Sequence, residues 1–74
     1  MFTLKYSRAY TDYQSQHHNL DGAVYTALGM LDEGEGFPAS IEDSDGTEIW
    51  NYESVPLGEL YDSLKALLQE EKPI

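Results

Sequence analysis

Apolar and polar residues alternate at the start of the chain, where Phe2, Leu4 and Tyr6 interleave with Thr3, Lys5 and Ser7. A period of two puts one set on each side of a pleated backbone and predicts a half-buried strand, with Ala9 and Tyr10 as its extension. Thr11 to His18 is polar and punctuated by tyrosine, and reads as a connecting loop. The period then changes. Leu20, Val24, Ala27, Leu28 and Leu31, with Ala23 beside them, form one helical stripe. Asn19 is the expected N-cap and Asp21 lies in the first turn, where the helix dipole favours a carboxylate. Gly34 and Gly36 end the helix. Gly22, Thr26 and Gly29 fall on the side away from the stripe, which reads as a solvent face or as a smooth groove for another backbone.

Pro38 to Asp43 predicts a second strand with Ala39 and Ile41 on one face. Ser44-Asp45-Gly46 supplies a turn, and Thr47 to Tyr52 a third strand, completing a hairpin. In this last strand Ile49 points one way and Glu48, Trp50 and Tyr52 the other. Either both sheet faces are partly covered or Trp50 and Tyr52 form an exposed aromatic patch. A second helix follows, with Ser54 as cap and Pro56 in the first turn, where a missing N–H costs nothing. Leu57, Leu60, Tyr61, Leu64, Leu67 and Leu68 make its apolar face. Glu70 and Glu71 oppose the dipole and predict a frayed last turn, and Pro73 stops the helix. The expected fold is a single α+β domain of order β-α-β-β-α, a three-stranded sheet with two helices packed on it and open strand order.

Charge changes the picture more than composition does. Fourteen Asp and Glu face four Lys and Arg over 74 residues, for a net charge of −10. No Lys or Arg occurs between residues 9 and 64. Direct binding to nucleic acid or to an anionic membrane is disfavoured by Coulomb repulsion, whereas a basic protein surface is attracted and steered in. The absence of cysteine excludes disulfides and thiolate chemistry, and points to a reducing cytoplasm. Neither a signal-peptide pattern nor an apolar run of membrane-spanning length is expected to anchor the chain.

Candidate chemistry is sparse. Asp43-Ser44-Asp45-Gly46 has the look of a calcium loop. Aligning Gly46 with the obligatory glycine, however, puts Ile41 and Tyr52 where oxygen ligands are required. His17, His18 and Asp21 do not make a metal set, since adjacent histidines diverge and no further His or Cys exists. No phosphate loop, nucleophile elbow or Ser/His/Asp constellation is present. Neither a catalytic residue, a metal nor a cofactor is therefore expected. The candidate site is instead a partner-binding surface. Two carboxylate groups define it: Asp32, Glu33 and Glu35 after the first helix, and Glu42, Asp43, Asp45 and Glu48 at the hairpin. They are expected to share one edge. Trp50 and Tyr52, with Tyr10 and Tyr13, are the aromatic anchors inside a negative rim.

In size, charge and helix–strand arrangement the whole chain resembles the DNA-mimicking anti-CRISPR and anti-restriction inhibitors of phages and mobile elements. The likeness lies in these properties and not in a sequence motif. It implies a small inhibitor that occupies the positively charged channel where a nucleic-acid-binding effector holds DNA, acting in the cytoplasm, that of the host for a phage-borne protein. The alternatives are an acidic immunity protein or antitoxin against a basic nuclease, and a structural or assembly module of a phage or bacterium. The expected oligomeric state is a monomer or a weak homodimer, the latter through the apolar residues of the last helix.

Overall fold

A computed structural model describes residues 1–68. It is α+β, an antiparallel sheet with two α-helices packed on it, but the sheet has four strands where three were expected. They are β1 (Phe2–Arg8), β2 (Thr11–His17), β3 (Phe37–Glu42) and β4 (Glu48–Asn51), in the spatial order β2-β1-β3-β4. Helix α1 (Leu20–Glu33) connects β2 to β3, and α2 (Leu60–Lys65) follows β4 after two short 3₁₀ turns, Tyr52–Ser54 and Leu57–Glu59.

The extra strand is β2, the stretch expected to be a loop. Arg8 pairs with Thr11, so Ala9 and Tyr10 are the two-residue turn of a hairpin and not a strand extension. Both have positive φ, 52° and 68°, the signature of a type I′ turn. That turn is normally built from Asn and Gly, because a Cβ is crowded in the left-handed region. The seven-residue register from Phe2↔His17 to Arg8↔Thr11 holds the turn in place.

The core lies on one face of the sheet. Leu4, Ile41 and Trp50 stand side by side on β1, β3 and β4, and all three are buried. Above them α1 lays down Ala23, Val24, Ala27, Leu28 and Met30, and α2 adds Leu60 and Leu64. The α1 boundaries follow the expected signals. The Asn19 side chain accepts from Gly22 N at 2.9 Å, and Gly34, at φ 68°, closes the helix with its N–H on the Met30 carbonyl. Gly36 serves packing, since a Cβ there would stand 3.2 Å from the Ser7 carbonyl oxygen. Gly22, Thr26 and Gly29 are all half-buried; a Cβ at Gly22 would meet the Asn19 and His17 side chains, whereas one at Gly29 would meet nothing within 4 Å.

Two β-bulges alter which residues face the core. Lys5 pairs with Ser40 but Tyr6 with Pro38, so Ala39 is an extra residue and Pro38 joins Ile41 inside. The expected pairing of Ala39 with Ile41 on one face is thereby corrected. On β4, Ile41 pairs with Trp50 and Glu42 with Glu48, which makes Ile49 the extra residue. Trp50 consequently points into the core while Glu48 stays on the opposite, polar face.

The second helix departs from expectation at its start. Pro56 precedes a 3₁₀ turn, where Glu59 N donates to the Pro56 carbonyl at 2.8 Å, and regular helix begins only at Leu60. Leu60 and Leu64 face the core, but Tyr61 is 40% exposed and leaves the expected apolar face. Glu70, Glu71 and Pro73, and the side chain of Leu57, lie outside what is described.

Candidate protein-binding surface

The β3–β4 hairpin builds the more acidic end of the candidate surface. Its turn is held by Asp43, whose Oδ1 accepts from Asp45 N at 2.9 Å and from Thr47 N at 3.0 Å. Gly46 takes φ 85°, as the turn demands. Ser44 ties the tip to the chain start, accepting from the Met1 amino group at 3.1 Å and donating to the Met1 carbonyl at 3.3 Å. Glu42 and Glu48 are direct cross-strand partners, a repulsive arrangement for like charges. Lys5 offsets it with an ion pair to Glu42 Oε2 at 3.0 Å, while Asn51 Nδ2 donates to Glu48 Oε1 at 2.9 Å. Glu42 and Asp43 thus have structural duties, whereas Asp45 points into solvent.

Asp32, Glu33 and Glu35 occupy the other end of the sheet. All three are exposed, and the Glu35 backbone is anchored by Arg8 Nε on its carbonyl at 2.8 Å. Strand β3 separates this group from the hairpin tip. Six residues in extended form span about 17 Å, so the two groups cap opposite ends of one strand and do not share an edge.

The aromatic anchors are also redistributed. Trp50 is only 6% exposed, and its Nε1 donates to Ser63 Oγ at 2.9 Å, which in turn donates to the Leu60 carbonyl. This chain of bonds fixes α2 against β4. Tyr52 is half-buried and packs edge-on against Phe37, with ring centroids 5.1 Å apart. An exposed Trp50–Tyr52 patch is therefore absent from this fold. Tyr10, at the β1–β2 turn, is fully exposed, and Tyr13 is 46% exposed and stacked on Tyr6 at 5.6 Å. On the acidic side the accessible ring is Tyr61, with Lys65 Nζ 5.7 Å above its centroid. Tyr61 thus departs from the apolar face expected of this helix. The signal that separates it from that face is the Leu60/Leu64 spacing of four, which sets the buried line and leaves Tyr61 about 100° around the helix.

What emerges is a division of charge across the sheet. From Phe37 to Leu64 the chain carries Glu42, Asp43, Asp45, Glu48, Glu53, Glu59 and Asp62 and no Lys or Arg. The β1–β2 hairpin carries Lys5 and Arg8 against Asp12 alone. With strands about 4.8 Å apart, β4 lies roughly 14 Å from β2, beyond the screening length of about 8 Å at physiological salt. An approaching macromolecule therefore experiences the two sides separately. Lys5–Glu42 is the one ion pair among the described residues.

One open hollow, about 440 Å³, is lined by Lys5, Asp12, Gln14 and Ser40 with Tyr6, Tyr13 and Ala39. Its Lys5 is engaged by Glu42. Among the described residues no group of three metal-ligating side chains comes together, and no helix is long and apolar enough to cross a membrane.

No family model, curated protein or solved structure matches this chain.

Proposed function

We propose that this chain is a binding protein that inhibits a nucleic-acid-binding effector by presenting carboxylates where the effector expects phosphates. The observation that carries the reading is the unbroken acidic character of Phe37 to Leu64, seven carboxylates without a Lys or Arg along β3, β4 and the start of α2. A pair of exposed opposite charges in water is worth only about 1 kcal/mol at 4 Å, so affinity of this kind needs several contacts at once. The β3–β4 arm and α2 supply them. Asp45, Glu48, Glu53, Glu59 and Asp62 are all exposed, Glu48 on the polar face of the sheet and Asp62 on α2, where Tyr61 is exposed beneath Lys65. Asp32, Glu33 and Glu35 stand outside this docking face. The partner is a cationic protein groove of the kind that holds duplex DNA, and no catalytic step, metal or cofactor enters the mechanism.

The reading is tested by immobilising the protein, capturing partners from a lysate of its source cells, and challenging the complex. Duplex DNA at micromolar concentration is expected to release the captured protein, as is salt near 0.5 M, because screening removes the attraction. Capture that survives both challenges contradicts charge mimicry. Capture that salt disrupts but duplex DNA does not favours an acidic immunity function directed at a surface other than a DNA groove.

A further inference from the structure

Among the described residues strand β2 is an edge strand, and its backbone alternation leaves one row of groups without a partner strand. In a two-residue hairpin the pair flanking the turn, Arg8↔Thr11, is the hydrogen-bonded kind, and alternation then makes Tyr6↔Tyr13, Leu4↔Ser15 and Phe2↔His17 the same. The N–H and C=O groups of Asp12, Gln14 and Gln16 therefore point away from β1. Natural edges of this length are normally blunted by lysine, proline or a bulge. Thr11–His17 has none of these and keeps register with β1 throughout. The opposite edge, β4, has four residues and runs directly into a 3₁₀ turn.

We infer that β2 pairs antiparallel with β2 of a second copy of this chain, with the two-fold axis at Gln14, joining two sheets into one. That register uses every outward group: Asp12 opposes Gln16 of the second copy, Gln14 opposes Gln14, and Gln16 opposes Asp12. Three such pairs make about six interchain N–H···O bonds. The side chains agree with it. Asp12 is the sole carboxylate on the strand, and this register sets it opposite an amide and never opposite itself. Gln16 Oε1 already accepts from Thr3 Oγ1 at 3.3 Å, which turns its Nε2 toward donation, here to the Asp12 carboxylate of the second copy. On the other face Tyr13 meets Ser15, and Thr11 meets His17. The β1–β2 edge is also the less acidic one, with Lys5 and Arg8 against Asp12, so two chains of net charge −10 joined there keep their β3–β4 sides outermost. The strip is narrow, below the roughly 1,200 Å² of stable interfaces, so association is weak and strengthens as salt screens the net charge.

Sedimentation velocity from about 10 µM to about 1 mM, at about 20 and 300 mM NaCl, reads the equilibrium. The expected result is a monomer–dimer equilibrium shifted toward dimer by salt. Gln14→Pro removes one outward N–H without touching the β1 pairing, so it should leave the near-UV circular dichroism intact and weaken dimerisation at least tenfold. Gln14→Ala, which keeps the N–H, should dimerise nearly as well as the parent. Hydrogen exchange gives an independent reading that does not depend on a variant folding. The Asp12, Gln14 and Gln16 amides should gain protection with concentration, while those of Tyr13 and Ser15 are protected throughout. A monomer at about 1 mM in high salt overturns the inference. So does a dimer indifferent to Gln14→Pro, which would place the interface elsewhere, or protection of β2 amides that requires another protein.

Discussion

The two hairpins of this sheet solve the same geometric problem with opposite chemistry. The β3–β4 hairpin is short and bulged at Ile49, and its turn residues match their backbone: Asp43 caps two N–H groups and Gly46 takes the positive φ. The β1–β2 hairpin is long and regular, yet its turn puts Ala9 and Tyr10 in a region that disfavours a Cβ. One is stabilised locally at its turn and bristles with carboxylates. The other is stabilised by seven paired positions, carries both Lys5 and Arg8, and leaves a polar edge open. Local turn chemistry and ladder length thus substitute for each other, and the charge of this protein is concentrated where local chemistry is strongest.

The strongest way to break the comparison is to remove the residue on which the acidic side is anchored. Trp50→Ala takes away the buried ring that joins β4 to α2 and should cost about 3–5 kcal/mol, much or all of the stability of a domain this small. Tyr13→Ala on the other hairpin removes a half-exposed ring and should cost about 1 kcal/mol or less. Urea titrations of the two variants give the contrast directly, and equal losses would deny it.

Exchanging turn chemistry sharpens the same contrast and should produce effects of opposite sign. Replacing Ala9-Tyr10 with Asn-Gly relieves both positive-φ positions and should stabilise by about 1 kcal/mol, raising Tm by roughly 4–8 °C. Asp43→Ala abandons two backbone N–H groups and should destabilise by about 1–2 kcal/mol. Destabilisation by the Asn-Gly exchange would show that the β1–β2 turn is not strained.

The smallest expected effect lies where the hairpins meet. Lys5 on β1 offsets the opposition of Glu42 and Glu48, but this pair is partly exposed, and Lys5→Ala should cost no more than about 1 kcal/mol. Adding Glu48→Gln should recover most of that loss in a double-mutant cycle. A double variant no more stable than Lys5→Ala alone would mean that the Glu42–Glu48 opposition is unimportant.

These particulars also explain which parts of the architecture were legible in the chain. Helix α1 announced itself because Asn19, the apolar stripe and Gly34 agree, and the Asp43–Gly46 turn because its residues carry the required conformations. Strand β2 did not. Its inward residues are Tyr13, Ser15 and His17, a polar set at the margin of the helix layer, and its turn lacks Asn or Gly. The orientation of Trp50 was undecidable from alternation, since the bulge at Ile49 shifts the period by one. The carboxylate groups around Glu35 and Asp45 are close in sequence but lie at opposite ends of β3, because an extended strand converts a short sequence gap into distance. Tyr61 was hidden by a helix that begins at Leu60, after a 3₁₀ turn.

In the function proposed, position, and not net charge alone, makes the β3–β4 arm the docking face. Two triple variants with the same change in charge decide it, measured by calorimetric titration against the protein captured from lysate at fixed salt. Asp45, Glu48 and Glu53 replaced by Lys should weaken binding at least a hundredfold. Asp12, Asp32 and Glu33 replaced by Lys should weaken it less than about fivefold. Equal losses in the two, or binding that survives the first, would contradict the account.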